Sequence, residues 1–257
     1  NANISVSQNK NLPIEYSYRQ KFSSNIKHSS LKPLNEKQHK ITYSSIFSDT
    51  VHHKNSFYKK LYKESLIEIN EGDVFLSIDP LFNFSIGNQN YDYRYFENVR
   101  GLRVIGDLGT NFSFETRVYE NQFFYPEYID TIASERGVAL GIGRSKKFKT
   151  YGHDAGLASG YISFSPIKEL NIQFGHGRHF FGNGYRSLLL SDYAPDYPYL
   201  SAQINLLDGL LAYKTLSAWY HSLNRRPVTS SSEALFKQKG ALFNMLSIQP
   251  NNKIEIS

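Results

Sequence analysis

The chain has 257 residues, 15% of them aromatic, with no cysteine, one methionine and one tryptophan. Without a thiol there is no disulfide scaffold and no cysteine-ligated zinc or iron–sulfur centre, and the aromatic content is too high for a disordered tail. The longest apolar runs, around Leu188 to Leu190 and Gly209 to Tyr213, are a few residues long, whereas a membrane-spanning helix needs about 20.

Charge divides the chain. Residues 1–66 hold eleven Lys or Arg against four acids, while the remainder holds 18 bases and 19 acids, so the formal +6 belongs to an amino-terminal arm. That localisation argues against a general nucleic-acid surface. It suits the arm to phosphate-bearing head groups, an acidic polymer or an acidic partner, and equally to a plain solvated surface. With 19 Tyr and 18 Phe against scarce helical-core residues, strand formers dominate the second half, which predicts an all-β protein.

Within the arm, Ile14 to Tyr18 and Lys40 to Ile46 read as short strands, and His28-Ser-Ser-Leu-Lys-Pro33 as a turn. From Asn55 onward, Tyr58, Leu61, Tyr62 and Leu66 recur at three- and four-residue spacing opposite Lys59, Lys60, Lys63 and Glu64. This predicts one short amphipathic helix with a packing role.

Beyond Glu71 the period becomes two. Val74, Leu76, Ile78, Pro80, Phe82, Phe84 and Ile86 share one face, and Ser77, Asp79, Asn83 and Ser85 the other, with Phe75 and Leu81 as exceptions. The same alternation in Leu102 to Leu108, Phe112 to Tyr119, Ala158 to Phe164, Leu170 to Phe174, Ser201 to Leu207, Leu210 to Ser222, Ala241 to Gln249 and Lys253 to Ser257 predicts about nine strands in residues 67–257. Tight turns at Gly109 to Asn111, Pro166 to Glu169, Asp208-Gly209 and Pro250 to Asn252 alternate with long excursions at Gln89 to Tyr95, Gln122 to Thr150, Gly182 to Tyr199 and Asn224 to Lys239.

A soluble sandwich uses strands of about five or six residues, whereas a transmembrane β-barrel uses about 9–11, apolar outward and polar inward, with short turns at one end and long loops at the other. The second description fits better. An Arg facing lipid at the midplane costs about 2–4 kcal/mol, so Glu97, Arg100, Arg103, Asp107, Glu115, Arg117, Glu120 and Arg178 are expected in a polar lumen or at its rim. Because the alternation still runs at Ile254-Glu-Ile256, and a sheet in hydrocarbon must close, the expectation is a partial barrel closed by residues not shown.

No chemistry-bearing constellation stands out. His176 and His179 are three residues apart, which on a strand places them on opposite faces with no third ligand nearby, and His52-His53 read as surface. Gly175, Gly177, Gly182 and Gly184 lack the Lys-Ser/Thr pair and helix of a phosphate loop and read as a kinked strand and tight loop. No nucleophile elbow, Ser/His/Asp order or supported carboxylate pair is present. The expectation is a non-enzyme without cofactor or metal.

The run Phe181-Gly-Asn-Gly-Tyr-Arg-Ser-Leu-Leu-Leu-Ser-Asp-Tyr-Ala-Pro-Asp-Tyr-Pro-Tyr-Leu200, with Glu97-Asn-Val-Arg-Gly-Leu-Arg-Val-Ile-Gly106, Tyr119-Glu-Asn-Gln122 and the arm element His28-Ser-Ser-Leu-Lys-Pro-Leu34, resembles Bacteroidota outer-membrane proteins grouped with the gliding-motility protein RemB and, more distantly, the Wzi-type capsule-assembly barrels. The resemblance spans roughly residues 28–223. It implies an outer-membrane barrel with a periplasmic amino-terminal part, here residues 1–66, and Asn1 following a removed signal peptide. It further implies a role in gliding, type 9 protein secretion or polysaccharide handling, with lipid and another outer-membrane barrel or secretion complex as partners, and no catalytic residues. The family's barrel is longer than these residues build. For the polysaccharide alternative, Tyr125, Tyr128, Tyr193, Tyr197 and Tyr199 are candidate stacking platforms in external loops. The soluble sandwich binding module remains the third reading.

Overall fold

A computed structural model describes residues 9–12, 27–32, 34–35, 65–89, 93–225, 236–251 and 253–257. The arm strands predicted at 14–18 and 40–46, the body of the helix predicted from Asn55, and His52-His53 lie outside these residues.

In the arm, β1 (Asn9–Lys10) pairs with β2 (Leu34–Asn35), and Ser29–Leu31 form a single 3₁₀ turn within the predicted turn segment. The rest is built from β3 (Ile67–Glu71), β4 (Val74–Gln89), β5 (Tyr93–Leu108), β6 (Phe112–Phe124), helix α1 (Glu127–Arg136), β7 (Val138–Ala139), β8 (Gly143–Arg144), β9 (Lys146–Phe148), β10 (Gly152–Ile167), β11 (Leu170–Gly177), β12 (Tyr197–Leu206), β13 (Leu211–Arg225), β14 (Phe236–Asn251) and β15 (Ile254–Ile256). Apart from β7, β8 and β9, these strands pair antiparallel with their neighbours in chain order, and β9 adds to β10. The protein is mostly antiparallel β with one short helix. Among the described residues β3 and β15 are the edges of an open meander and do not pair with each other.

The strands run further than the alternating segments suggested. Those of β4, β5, β10 and β14 each have 16 residues, and three differences from the sequence reading follow. The excursion expected at Gln89 to Tyr95 contracts to residues 90–92, because Gln89 pairs with Tyr93; its polar composition imitates a loop. Tyr197 and Tyr199, expected in an external loop, belong to β12. Pro198 sits at the start of the strand, before pairing to β13 begins at Tyr199, where a missing N–H is tolerated. Helix α1 lies unannounced inside the excursion at 122–150. Its signals are Glu127 and Asp130 in the first turn, Arg136 in the last, and Gly137 at φ 62° closing it.

Register carries a single apolar row across the sheet, from Leu76 through Phe114, Ile162, Phe174 and Leu200 to Leu242. One position along lies the opposite row, Ser77, Ile105, Glu115, Tyr161, Gly175, Tyr199 and Ala218. Gly175 is required there, since a Cβ would fall 2.4 Å from the Gly160 carbonyl oxygen.

Burial inverts the usual order. The apolar face is open: Phe82, Phe84, Ile86, Val118, Phe174, Trp219 and Leu242 are all exposed, Ile86 to 83%. The opposite face is covered, and its buried side chains include Ser77, Asp107, Ser113, Glu115, Asn121, His153, Ser163, Gln173, Ser201, Lys214 and Ser247. The cover comes from three segments. Residues 125–151 bring Ala139 against Phe123 and Ala155. Residues 178–196 bring Phe181 and Leu190, and the arm brings Leu31, into one cluster with Tyr197, Tyr199, Leu216 and Met245. The described part of the arm is therefore packed on the strands and does not stand apart from them.

Candidate functional site: the covered face

Strand parity explains which charges lie here. Arg103 on β5, and Glu115 and Arg117 on β6, occupy covered-face positions, and they converge. Arg103 Nε donates to Glu115 Oε1 at 3.0 Å, Arg117 pairs with the same oxygen, and Tyr161 OH donates to Oε2 at 3.2 Å. Glu115 is 3% exposed, so the three donors replace its lost water. Asp107 is buried on the same face. Glu97, also on this face, accepts a 3.0 Å hydrogen bond from Tyr95 OH.

Arg178, just past β11, ties the inward-folded segment together. Its Nε donates to Asp196 Oδ1 at 2.5 Å and its guanidinium also reaches Gly141 O at 2.7 Å, joining residues 178–196 to residues 125–151. A cavity of about 540 Å³ remains beside these groups, lined by Glu115, Arg117, Tyr119, Tyr161, Arg178 and Asp196 among others. Arg100 and Glu120 are not part of this assembly. They face each other on the open side at 3.0 Å, with side chains 47% and 59% exposed; even-numbered positions of β5 and β6 share the face of Leu102 and Val118.

The two candidate histidines separate. His176 is exposed on the open face, its Nδ1 2.8 Å from Ala158 O, whereas His179 is fully buried, edge-on to the Tyr199 ring with centroids 4.1 Å apart. Burial, and then the nearby Lys214 ammonium, hold the His179 imidazole well below its ordinary pKa. Among the described residues no three His, Cys, Asp or Glu side chains gather as metal ligands.

The tyrosines divide likewise. Tyr128 and Tyr193 are exposed in the long connections, but Tyr197 and Tyr199 are buried among the covering segments. Tyr125 stacks on Phe123 with ring centroids 5.1 Å apart, and burial together with the Glu97 charge pushes its hydroxyl up to about 12.

Parity did not reveal the densest cluster, where the arm meets the sheet edge. Glu255 on β15 accepts from the backbone N–H of Ser29 at 3.1 Å and of Ser30 at 3.0 Å, from the hydroxyl of Ser29 at 3.0 Å and that of Ser30, and from Ser247 Oγ at 3.2 Å. The His28 N–H donates to Gln249 Oε1 at 2.9 Å, and its ring bridges Ser247 Oγ and Gly209 O, each at 2.9 Å. Lys214, fully enclosed, points its ammonium at Lys32 O and lies 5.4 Å from the Phe181 ring centroid. A lone Lys in the otherwise apolar covered-face series Ala212, Leu216 and Ala218 was the signal available.

Fold and site together define an antiparallel β-meander with a covered polar face and an open apolar one. Compared with known proteins, the chain matches no family model, no curated protein and no solved structure.

Removing a buried carboxylate strands the guanidiniums that surround it. Glu115→Ala is expected to cost about 2–3 kcal/mol, below the figure for a fully buried pair because both arginines reach solvent. Glu120→Ala is expected to cost less than about 1 kcal/mol. Denaturant midpoints of the two variants check the contrast.

His179 sets a pH dependence whose sign follows from its lowered pKa. The unfolded chain takes up a proton below about pH 6.5 that the folded ring refuses, so stability present above that pH is lost on acidification, at up to ~1.4 kcal/mol per unit. A His179→Gln variant is expected to lack this component, seen as a flatter stability curve between pH 6.5 and 5.

Proposed function

We propose that the chain forms the wall and filling of a non-enzymatic outer-membrane β-barrel, acting as a scaffold or accessory component beside another barrel of the gliding-motility and type 9 secretion machinery. The observation that carries the membrane reading is the inversion of burial along strands too long for an ordinary soluble sheet. In water, a continuous face bearing Phe82, Phe84, Ile86, Val118, Phe174, Trp219 and Leu242 loses about 25 cal/mol for each Å² left exposed and far exceeds the patches that soluble monomers tolerate. Lipid removes that cost.

The height of the apolar band also supports this reading. On β5 and β6 it starts at the tight turn with Leu108 and Phe112 and gives way to the Arg100–Glu120 pair eight positions along. That is about 27 Å of strand, or roughly 20 Å of height at barrel tilt, against a band of about 25 Å in outer-membrane barrels. The ionic pair then falls at head-group level. The scaffold role rests on the sequence resemblance to the RemB group and on the packed covered face, which favours a wall over an open conduit. The tyrosines Tyr128 and Tyr193, exposed at the long-connection end, favour a second reading, a Wzi-like capsule or exopolysaccharide-binding barrel.

The chain has no native cysteine, so single replacements report cleanly. In reconstituted vesicles, Phe174→Cys and Leu242→Cys, which share one row inside the band, are expected to react with a lipid-soluble maleimide and resist a charged one. Equal aqueous reactivity at both would defeat the membrane reading.

Isolation from native membranes in mild detergent tests the role. Secretion or motility components are expected to accompany the protein. Polysaccharide retained in their place, and lost from a Tyr128→Ala/Tyr193→Ala double variant, would favour the second reading.

A further inference from the structure

We infer that His28–Lys32 is a releasable stopper, latched at Ser29 and Ser30 by the carboxylate of Glu255 and flanked by the weaker His28 and Lys32 contacts, and that its release opens a water path along the covered face; this rests on the barrel reading above.

The segment is held mainly by polar contacts. Leu31 is its one apolar anchor in the buried cluster. Ser29 and Ser30 spend both their backbone N–H groups and both hydroxyls on Glu255. Such bonds exchange with water at small net cost, so the seal is tight yet reversible in a way that a greasy plug is not. The hydrogen inventory ties His28 to the same latch. His28 Nε2 faces the Gly209 carbonyl and must carry a hydrogen, while Ser247 has one hydroxyl hydrogen to share between His28 Nδ1 and Glu255.

The latch sits on the slightest part of the wall. Strand β15 is three residues long and pairs with β14 at Ile256 and Ile254, with a register irregularity between them. What the latch holds reaches further. Ser30 O accepts the Gly182 N–H at 2.9 Å, and Ser29 Oγ, whose one hydrogen faces both Glu255 and Asn183, lies 2.9 Å from Asn183 Oδ1, so the inward-folded residues 178–196 rest on the stopper. Lys214 donates to Lys32 O from below. Losing the Glu255 contacts therefore loosens two of the three covering segments together.

The test uses the full chain in planar lipid bilayers in potassium chloride, with Leu31→Cys labelling by a charged maleimide as a parallel readout. The wild type is expected to insert with low conductance. Glu255→Gln is expected to raise single-channel conductance several-fold and the labelling rate at Leu31→Cys at least tenfold, and Glu120→Gln to change neither. A Ser29→Ala/Ser30→Ala double variant removes the arm's hydroxyl donors while leaving every strand residue in place, and is expected to move both readouts the same way. Insertion with unchanged conductance and labelling in both variants overturns the stopper while leaving the barrel reading intact. Labelling that rises without conductance overturns the water path. Failure of the wild type to insert overturns the barrel reading and the stopper with it.

Discussion

Every polar side chain turned away from water must find its partner within the protein, and on the covered face this demand organises everything else. Unpaired, a buried carboxylate costs several kcal/mol. Glu115 meets the demand within the sheet, from Arg103, Arg117 and Tyr161. Lys214 cannot, because its strand neighbours Ala212, Leu216 and Met245 offer nothing to bond, and half-buried Glu255 finds only Ser247 there. Their remaining partners come from outside the sheet, as the hydroxyls, amides and carbonyls of residues 28–32. Residues 28–32 are drawn onto the strands for this reason, and their polar groups are what the covered face lacks.

The same chemistry has different weight on the two faces. Arg100–Glu120 and Arg103–Glu115 both link β5 to β6, but the first is half in solvent and the second has its carboxylate enclosed. Strand parity alone makes the distinction. Nothing in the identities of these residues separates them, which is why Arg100 and Glu120 were grouped with the rest when read from sequence.

Alternation was the legible signal. It located β4, β6, β10, β11, β13 and β14, and it assigned Phe82, Phe84 and Ile86 to one face because a period of two is a property of the extended backbone. Tight turns were legible through glycine, proline and asparagine. Strand ends were not, since Tyr93 to Gly101 and Gly152 to Leu157 carry polar and small residues that continue a strand by pairing, not by pattern. The inward fold of residues 178–196 was hidden by their two glycines and one proline, although Phe180, Phe181 and Leu190 are apolar beyond what a solvated loop needs, and all three are buried. The Glu255 cluster joins residues 225 and 226 positions apart, and local pattern carries no information at that separation.

That separation governs the order of assembly. Contacts so distant in sequence close late and slowly, and during synthesis residue 255 is produced more than two hundred residues after Ser29 and Ser30. The turn at Ser29 and Ser30 therefore lacks its carboxylate until β15 pairs with β14. Only the arrival of β15 fixes it, and only then does Gly182 gain a fixed carbonyl to bond. The Glu255 contact thus couples the seating of Ser29 and Ser30 to the pairing of β15 with β14.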